Sequence, residues 1–212
     1  MFKIGSQLFT SAGPEAVKQV SALGTGVFLD LKFHDIPNTV AGAVLAAAAM
    51  PGVQLLNIHA LGGTAMIRAA AQAVSAGVPM GADRPRLLAV TILTSMDAKA
   101  LKEVGVGGPP QTRVVKLAKL ARTAGADGVV ASVQEAKAIR KACGREFLIV
   151  TPGVRSKEKA AGKKDDQART ATAFEAIKAG VDYVVVGRPI LAASDPRAAA
   201  QEIVDEITSA KA

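Results

Sequence analysis

The sequence has little of what marks several large classes of protein. Its 212 residues contain one cysteine, no tryptophan and only 3% aromatic residues. A single cysteine, Cys143, excludes an intrachain disulfide, and its Ala-Cys-Gly setting near a predicted helix end indicates a packing role. Few aromatic rings leave few platforms on which bases could stack, and no nucleic-acid-binding motif is present. We therefore expect neither a disulfide scaffold nor a nucleic-acid-binding protein.

The sequence also lacks a long apolar run. No stretch approaches the roughly 20 residues that a membrane-spanning helix needs, and the N-terminus lacks the charged, apolar and small-residue succession of a signal peptide. We therefore expect a cytoplasmic protein that does not contact a membrane. The net charge of +8 is compatible with an anionic ligand, with nucleic acid or with a basic solvated surface. We favour a solvated surface that includes a local anion site.

Half of the residues are apolar, which predicts one compact domain over residues 1–212. Short apolar runs alternate with longer Ala-, Lys- and Glu-rich segments, a pattern typical of βα units around a parallel sheet that is buried on both faces. Each predicted strand is followed by a helix, and the last helix spans Pro196 to Ala210. The seven predicted strands are Phe2 to Gly5, Val27 to Leu31, Leu55 to His59, Leu87 to Leu93, Gly128 to Ala131, Phe147 to Thr151 and Tyr183 to Gly187.

Polar residues gather where these strands end, and the C-terminal strand ends of a βα-barrel build its active site. They are Lys3, Asp30, Lys32, His59, Thr94, Arg155, Gly187 and Arg188. Such a barrel closes with eight strands, so we expect the first strand to be missing at the N-terminal end and this chain alone to have low stability. A doubly wound open sheet is the alternative, but its Gly-rich loop after the first strand is absent.

The segment from Val27 to Thr39 carries the most informative charge pattern. An apolar strand leads into Asp30 and Lys32, which are two residues apart and therefore share a face, and Asp35 follows on the turn. An exposed ion pair is the commoner interpretation of this spacing. The apolar strand instead predicts that at least one charge is shielded from water, where charges persist only when they are paired or used.

An ammonium group between carboxylates is expected to stay charged. Each attraction at about 4 Å and an effective dielectric constant near 20 is on the order of 4 kcal/mol before desolvation is subtracted. Lys32 is therefore predicted to be a proton donor or an electrostatic clamp, and not a Schiff-base nucleophile.

The run Asp30-x-Lys32-x-x-Asp35-Ile36-Pro37-Asn38-Thr39 resembles the signature of orotidine 5′-phosphate decarboxylases. The resemblance implies an α/β fold, a (β/α)8 TIM-type barrel with seven of its βα units visible here. It also implies conversion of orotidine 5′-monophosphate to uridine 5′-monophosphate and carbon dioxide in de novo pyrimidine biosynthesis, by a homodimer without cofactor or metal. Further segments match in the family's order, namely Phe2 to Gly5, Val90 to Ser95, Thr151 to Arg155, Asp165 to Gln167 and Val186 to Pro189.

The resemblance implies a role for each matching charged position. Lys32 would protonate C6 of the pyrimidine as carbon dioxide leaves, and Asp30 would hold Lys32 in place and crowd the substrate carboxylate. Lys3 would complete the charged array and bind the ribose. Asp35 and Thr39 would enter the site from the second subunit of the dimer.

The substrate's other groups would be bound further along the chain. The resemblance assigns the pyrimidine edge to Thr94 and the phosphate to Arg155, Gln167, Gly187 and Arg188. Loops after the final barrel strands commonly bind phosphate, which agrees with this assignment. Taken alone, Gly187 and Arg188 could equally begin an ordinary helix, Arg155 could be a solvated charge, and Thr94 could be a helix N-cap. The polar segment between Pro152 and Thr170 is predicted to be a functional or disordered loop.

The only two histidines, His34 and His59, are interpreted as structural, and no metal site is predicted from them. Two alternatives to the decarboxylase remain open. One is a magnesium-dependent sugar-phosphate decarboxylase or hexulose-phosphate synthase type of barrel, which uses a similar charged motif. The other is a non-catalytic barrel that binds uridine monophosphate without turning over its carboxylated precursor.

Overall fold

The structure, a computed structural model, describes residues 1–78, 83–155 and 171–211. Gln167, one of the predicted phosphate ligands, lies outside the described residues. The chain divides into two compact units. The first comprises Met1–Thr91 with Leu117–Val129, and the second comprises Ile92–Lys116 with Val130–Ala212.

The described residues form seven strands and ten α-helices that alternate along the chain. The strands are β1 (Phe2–Gly5), β2 (Val27–Phe33), β3 (Val53–His59), β4 (Arg86–Val90), β5 (Gly128–Val130), β6 (Leu148–Pro152) and β7 (Tyr183–Val185). The helices are α1 (Ser6–Ala12), α2 (Pro14–Ser21), α3 (Pro37–Ala48), α4 (Gly63–Ala76), α5 (Ala98–Glu103), α6 (Pro110–Thr123), α7 (Val133–Cys143), α8 (Ala173–Lys178), α9 (Arg188–Leu191) and α10 (Pro196–Lys211), and a short 3-10 helix covers Ala60–Gly62.

The strands follow one another in the sheet in the order β1-β2-β3-β4-β5-β6-β7. The pairs β1–β2, β2–β3, β3–β4 and β6–β7 are parallel. This sequential order excludes the doubly wound alternative, whose strand order reverses at a switch point. Parallel strands that are joined through helices in sequential order are the topology of a TIM-type βα-barrel, as predicted.

All seven predicted strands are present, although five of them end at other residues than expected. β2 continues to Phe33, β4 stops at Val90 and β7 stops at Val185, while β5 ends one residue earlier and β6 one residue later than predicted. The apolar run after β4 remains buried beyond the strand, since Ile92 is only 3% exposed. Hydrophobic side chains can be buried by irregular backbone as well as by a strand, so an apolar run overestimates the length of the strand.

The core of the first unit is built from strand and helix side chains that are almost wholly shielded from water. Leu56 and Ile58 of β3 are fully buried, and so are Val44 of α3 and Ile67 of α4. Burial of one such side chain stabilises the fold by roughly 1.5–3 kcal/mol. The core therefore fixes the position of β2, which carries Asp30 and Lys32, and of its neighbour β3.

The second unit has its own small apolar cluster, in which Val154, Ala173 and Ile203 are buried. Helix α8 begins with a capping box, in which Thr172 Oγ1 accepts from the Glu175 backbone N–H and the Glu175 carboxylate accepts from the Thr172 N–H. Such reciprocal bonds satisfy two backbone donors that a helix start leaves open. These bonds fix the first residue of α8, Ala173, which packs in this cluster.

β2 contains an irregularity at the charged motif. Leu29 pairs with Leu56 and Phe33 pairs with Ile58, so three residues of β2 stand opposite one residue of β3. Within this bulge Lys32 has φ of 51°, and it is the only described residue other than glycine with positive φ. A side chain in this left-handed conformation brings its Cβ close to the following carbonyl oxygen, which costs about 1–2 kcal/mol.

We predict that replacing Lys32 by Gly leaves the protein more stable than replacing it by Ala. Both changes remove the ammonium group, but only glycine adopts positive φ without strain, which favours Lys32→Gly by about 1 kcal/mol. Urea denaturation of the two variants measures the difference. The same pair of substitutions at the neighbouring Leu31 should give the usual order for a strand, with Ala the more stable. An Ala variant at position 32 that equals or exceeds the Gly variant would contradict the left-handed backbone.

Candidate active site

The carboxylate of Asp30 is the centre of the charged cluster. Its side chain is only 12% exposed. The Lys32 ammonium and the Asn57 amide each donate to Asp30 Oδ1 at 2.7 Å, and the Lys3 ammonium lies 3.1 Å from Asp30 Oδ2. Both carboxylate oxygens therefore have donors, as a buried charge requires. The structure brings Lys3, Asp30 and Lys32 together as the sequence predicts.

The environment of Asp30 keeps the carboxylate ionised. Burial on its own would raise the pKa of Asp30, but the hydrogen bonds from Lys32 and Asn57, together with the charges of Lys32 and Lys3, outweigh burial and lower the pKa below its ordinary value of 3.8. The carboxylate is therefore charged throughout the neutral and mildly acidic range. A fixed negative charge at this point can hold an ammonium group in one place.

Lys3 reaches Asp30 from the neighbouring strand. β1 and β2 are in a register that sets Gly5 beside Asp30. A Cβ on Gly5 would lie 3.1 Å from Lys3 Nζ, closer than an ordinary van der Waals contact, so the absence of a side chain leaves room for the ammonium. The side chains of Lys3 and Lys32 are 35% and 38% exposed, which leaves both ammonium groups accessible to a ligand.

Asn57 is a site residue that the sequence pattern did not predict. It lies on β3, it is only 1% exposed, and besides its bond to Asp30 its Oδ1 accepts a hydrogen bond from the Lys32 backbone N–H at 2.8 Å. The available signal was a polar residue inside an otherwise apolar buried strand. The same signal predicts Asp30, because a charged side chain in an apolar strand must be paired or used. An uncharged amide carries no such requirement, so Asn57 was not predicted.

Asp35 and Thr39 do not join the cluster within one chain. Both are exposed, and Asp35 Oδ1 accepts from the backbone N–H of Ile36 at 2.6 Å. In the described part of the single chain Asp35 makes no ion pair with Lys32. Their predicted entry into the site of a second subunit stays a prediction.

The predicted phosphate ligands that can be described lie in the second unit. Arg155 follows β6, and Gly187 with Arg188 follows β7, which is the parallel neighbour of β6. The C-terminal ends of parallel neighbours lie at the same edge of a sheet, so these residues share one edge of this unit. Gly187 is the N-cap of α9, with Pro189 in its first turn. The expected helix start is thus present, and the predicted contact of Arg155, Gly187 and Arg188 with a phosphate stays a prediction.

Thr94 lies in a turn after β4, and its side chain is half-buried. The alternative interpretation of Thr94 as a helix N-cap is wrong. The N-cap of α5 is Asp97, whose carboxylate accepts from the Ala100 N–H at 2.8 Å. Thr94 is therefore not committed to capping this helix, and its predicted contact with a pyrimidine stays a prediction.

The two histidines stack on each other beside the charged cluster, with ring centroids 5.2 Å apart. His59 Nδ1 accepts a weak hydrogen bond from Leu61 N–H at 3.4 Å. Burial, together with the nearby charges of His34 and Lys32, lowers the pKa of His59 from 6.5 to about 4.

Over the residues that the structure describes, no group of three or more His, Cys, Asp and Glu side chains is arranged to hold a metal ion. None of the described helices has the length and apolarity needed to span a bilayer.

Comparison with known proteins gives consistent results. The chain matches the "Orotidine 5′-phosphate decarboxylase / HUMPS family" over residues 1–203. Orotidine 5′-phosphate decarboxylase of Trichlorobacter lovleyi is 58% identical and that of Pelobacter propionicus is 57% identical, and each alignment covers 99% of this chain and 85% of the relative. A crystal structure of orotidine 5′-phosphate decarboxylase from Lactobacillus acidophilus is 42% identical, with a TM-score of 0.85 over 97% of this chain and 85% of that chain. These similarities confirm the predicted family and the TIM-type barrel class.

We predict that the free energy of unfolding falls as the pH drops from about 6.5 towards 4. In this window the unfolded chain protonates His59 whereas the folded chain does not, because the folded pKa is about 4. The unfolded state then binds more protons, and acid favours it. The control is His59→Asn, whose Oδ1 can replace Nδ1 as the hydrogen-bond acceptor. Denaturation should show that the free energy of unfolding of the wild type exceeds that of His59→Asn by less and less as the pH falls across this window. His34→Asn should keep most of the decline, since burial is the larger cause. A constant difference between the wild type and His59→Asn would contradict the lowered pKa.

Proposed function

The chain belongs to the orotidine 5′-phosphate decarboxylase / HUMPS family, and on that premise we propose that the Lys3–Asp30–Lys32 array converts orotidine 5′-monophosphate to uridine 5′-monophosphate and carbon dioxide. This is a carboxy-lyase reaction of pyrimidine biosynthesis. The observation that carries the proposal is the buried Asp30 carboxylate, which holds one ammonium group on each of its oxygens.

The array fits the chemistry of the reaction. When the bond from C6 to the carboxyl carbon breaks, the electron pair stays on C6 in an orbital that the ring does not delocalise. Preorganised positive charge near C6 is then the main means of stabilisation. Lys32 Nζ, held 2.7 Å from Asp30, supplies this charge and then transfers a proton to C6. Solvent returns a proton to the amine, which completes the cycle.

Asp30 has a second role in this proposal. Besides anchoring Lys32, its carboxylate lies close to the substrate carboxylate, and repulsion between the two groups is relieved as carbon dioxide leaves. Binding energy from remote parts of the substrate would offset this repulsion. The lowered pKa of Asp30 supports this role because the carboxylate does not escape repulsion by taking up a proton.

The rest of the substrate is bound by the residues that the family signature matches. Lys3 donates to the ribose and Thr94 to the pyrimidine edge, while Arg155, Gln167, Gly187 and Arg188 bind the phosphate. The common sheet edge of Arg155 and Arg188 in the second unit supports the phosphate assignment, because a guanidinium fork pairs well with phosphate oxygens.

We propose that the active form is a homodimer in which Asp35 and Thr39 complete the site of the partner subunit. Two exposed apolar side chains support this. Ile36 at the N-cap of α3 is 66% exposed and Leu45 within α3 is 43% exposed, so this segment carries apolar side chains that a second subunit could cover. Charge supports it as well, since two ammonium groups face one carboxylate within the chain. Asp35 of a second subunit would balance the second ammonium.

The proposed reaction needs no cofactor or metal, and this separates it from the magnesium-dependent barrels of the same family. The names of the curated relatives at 57–58% identity favour the pyrimidine substrate over a sugar phosphate. Cys143 is the single cysteine of the sequence, so the fold does not depend on an intrachain disulfide. This suits the reducing cytoplasm, which is where we propose that the enzyme acts.

Removal of the Lys32 ammonium should abolish most of the activity. In Lys32→Ala we expect kcat for release of carbon dioxide from orotidine 5′-monophosphate to fall about a thousandfold or more, with KM changed by less than about tenfold, because the ammonium acts mainly in the transition state. Lys119→Ala, an exposed change on α6, is the matched control and should retain wild-type turnover. A chelator should not alter the wild-type rate. Loss of activity on chelation would point to the magnesium-dependent alternative, and uridine monophosphate binding without turnover would point to the non-catalytic one.

Mixing of inactive variants tests the dimer. Lys32→Ala and Asp35→Ala chains, unfolded together in equal amounts and refolded, should recover about a quarter of wild-type activity. Random pairing makes about half of the dimers mixed, and each mixed dimer carries one complete site. Lys32→Ala mixed with Asp30→Ala should recover none, because both residues belong to the site of their own chain. Equal recovery in the two mixtures, or none in either, would contradict the shared site.

A further inference from the structure

We propose that Asn57 is a positioning residue for the decarboxylation, which sets the backbone of Lys32 and the orientation of Asp30 and so aims the Lys32 ammonium at the reacting carbon. The inference rests on the proposed function, and it assigns a role to a residue outside the charged motif. Asn57 itself does not reach the substrate in this proposal, because its side chain is 1% exposed and lies behind Asp30 and Lys32.

The first argument is the backbone of the bulge. The ladder between β2 and β3 is interrupted from Leu29 to Phe33, so the Lys32 N–H has no regular partner on β3. Asn57 Oδ1 accepts this N–H at 2.8 Å. A buried backbone donor without an acceptor is strongly disfavoured, and so the amide oxygen stabilises the left-handed conformation that Lys32 adopts. The direction in which the Lys32 side chain leaves the backbone depends on that conformation.

The second argument is the carboxylate. Asn57 Nδ2 donates to Asp30 Oδ1, the same oxygen that accepts from Lys32 Nζ. This bond limits rotation of the Asp30 carboxylate, and the position of Oδ1 in turn locates the ammonium. Because the amide is neutral, it orients the carboxylate without cancelling the charge that holds Lys32 and Lys3.

The third argument is the choice of side chain. The position needs a donor towards Asp30 and an acceptor towards the Lys32 N–H, on two atoms of one short planar group. Asparagine supplies both. An ionised aspartate would supply only acceptors, and an apolar residue would supply neither, so position 57 selects an amide on chemical grounds.

Asn57→Asp, compared with Asn57→Ala, distinguishes positioning from simple packing through its pH profile. At neutral pH the new carboxylate repels Asp30 and lacks the donor, so we expect kcat to fall about a hundredfold with KM changed less than about threefold. Two adjacent carboxylates share a raised pKa. As the pH falls towards about 5, the protonated acid regains a donor for Asp30 and keeps an acceptor for Lys32. The ratio of its kcat to that of the wild type should therefore rise at least about tenfold, whereas the ratio for Asn57→Ala should stay low and flat.

Gln54→Glu makes the same amide-to-acid change at an exposed position of the same strand, and it should match the wild type at every pH. Wild-type kcat in Asn57→Ala, or a flat ratio in Asn57→Asp, would overturn the inference. If Asn57→Asp does not fold, Asn57→Ala decides alone, with a fall in kcat at constant KM supporting positioning and an unchanged kcat refuting it. Each variant is compared with the wild type, so a result that refutes the role of Asn57 does not bear on whether the wild type releases carbon dioxide. A wild type that releases no carbon dioxide would instead refute the proposed function.

Discussion

The interaction on which the site depends is the contact of one buried carboxylate with three donors from three neighbouring strands. Lys3 comes from β1, Lys32 from β2 and Asn57 from β3, and all three converge on Asp30. Transfer of a carboxylate out of water costs several kcal/mol even after relaxation, and donors on both oxygens are what offset this cost. Each strand must therefore hold its register for the charge to be tolerated, and the apolar core beneath, including the fully buried Leu56, maintains that register.

The charges of the site do not balance within one chain. The ammonium groups of Lys3 and Lys32 share the carboxylate of Asp30, so the array of a single chain carries one excess positive charge. In the proposed homodimer, Asp35 of the second subunit would offset this charge. The Asp30 carboxylate would then repel the carboxylate of the substrate, while the two ammonium groups would hold the substrate against that repulsion.

Much of the fold and part of the site were predictable from the sequence. Strands that are buried on both faces have apolar sequences. A charged residue in or directly after such a sequence indicates a functional position, and this pattern predicted Lys3, Asp30 and Lys32. Asn57 was not predicted, because an amide carries no charge and its two bonds join residues about 25 positions apart in the chain. The ends of β4 and β7 were also missed, since apolar residues stay buried beyond the point where pairing stops.

The prediction that Asp30 and Lys32 lie together is confirmed, but the strand geometry on which it rested is only part of the reason. Alternation along an extended strand places residues two apart on the same face, yet Lys32 is not extended, and its left-handed backbone lies in a bulge. Backbone strain of this kind persists only where the surroundings over-determine it, and it concentrates at functional sites. Here the surroundings are the amide on β3, which accepts from the strained residue and donates to its ion partner. The position of the ammonium is thus a joint property of two strands, which no pattern within either strand alone could specify.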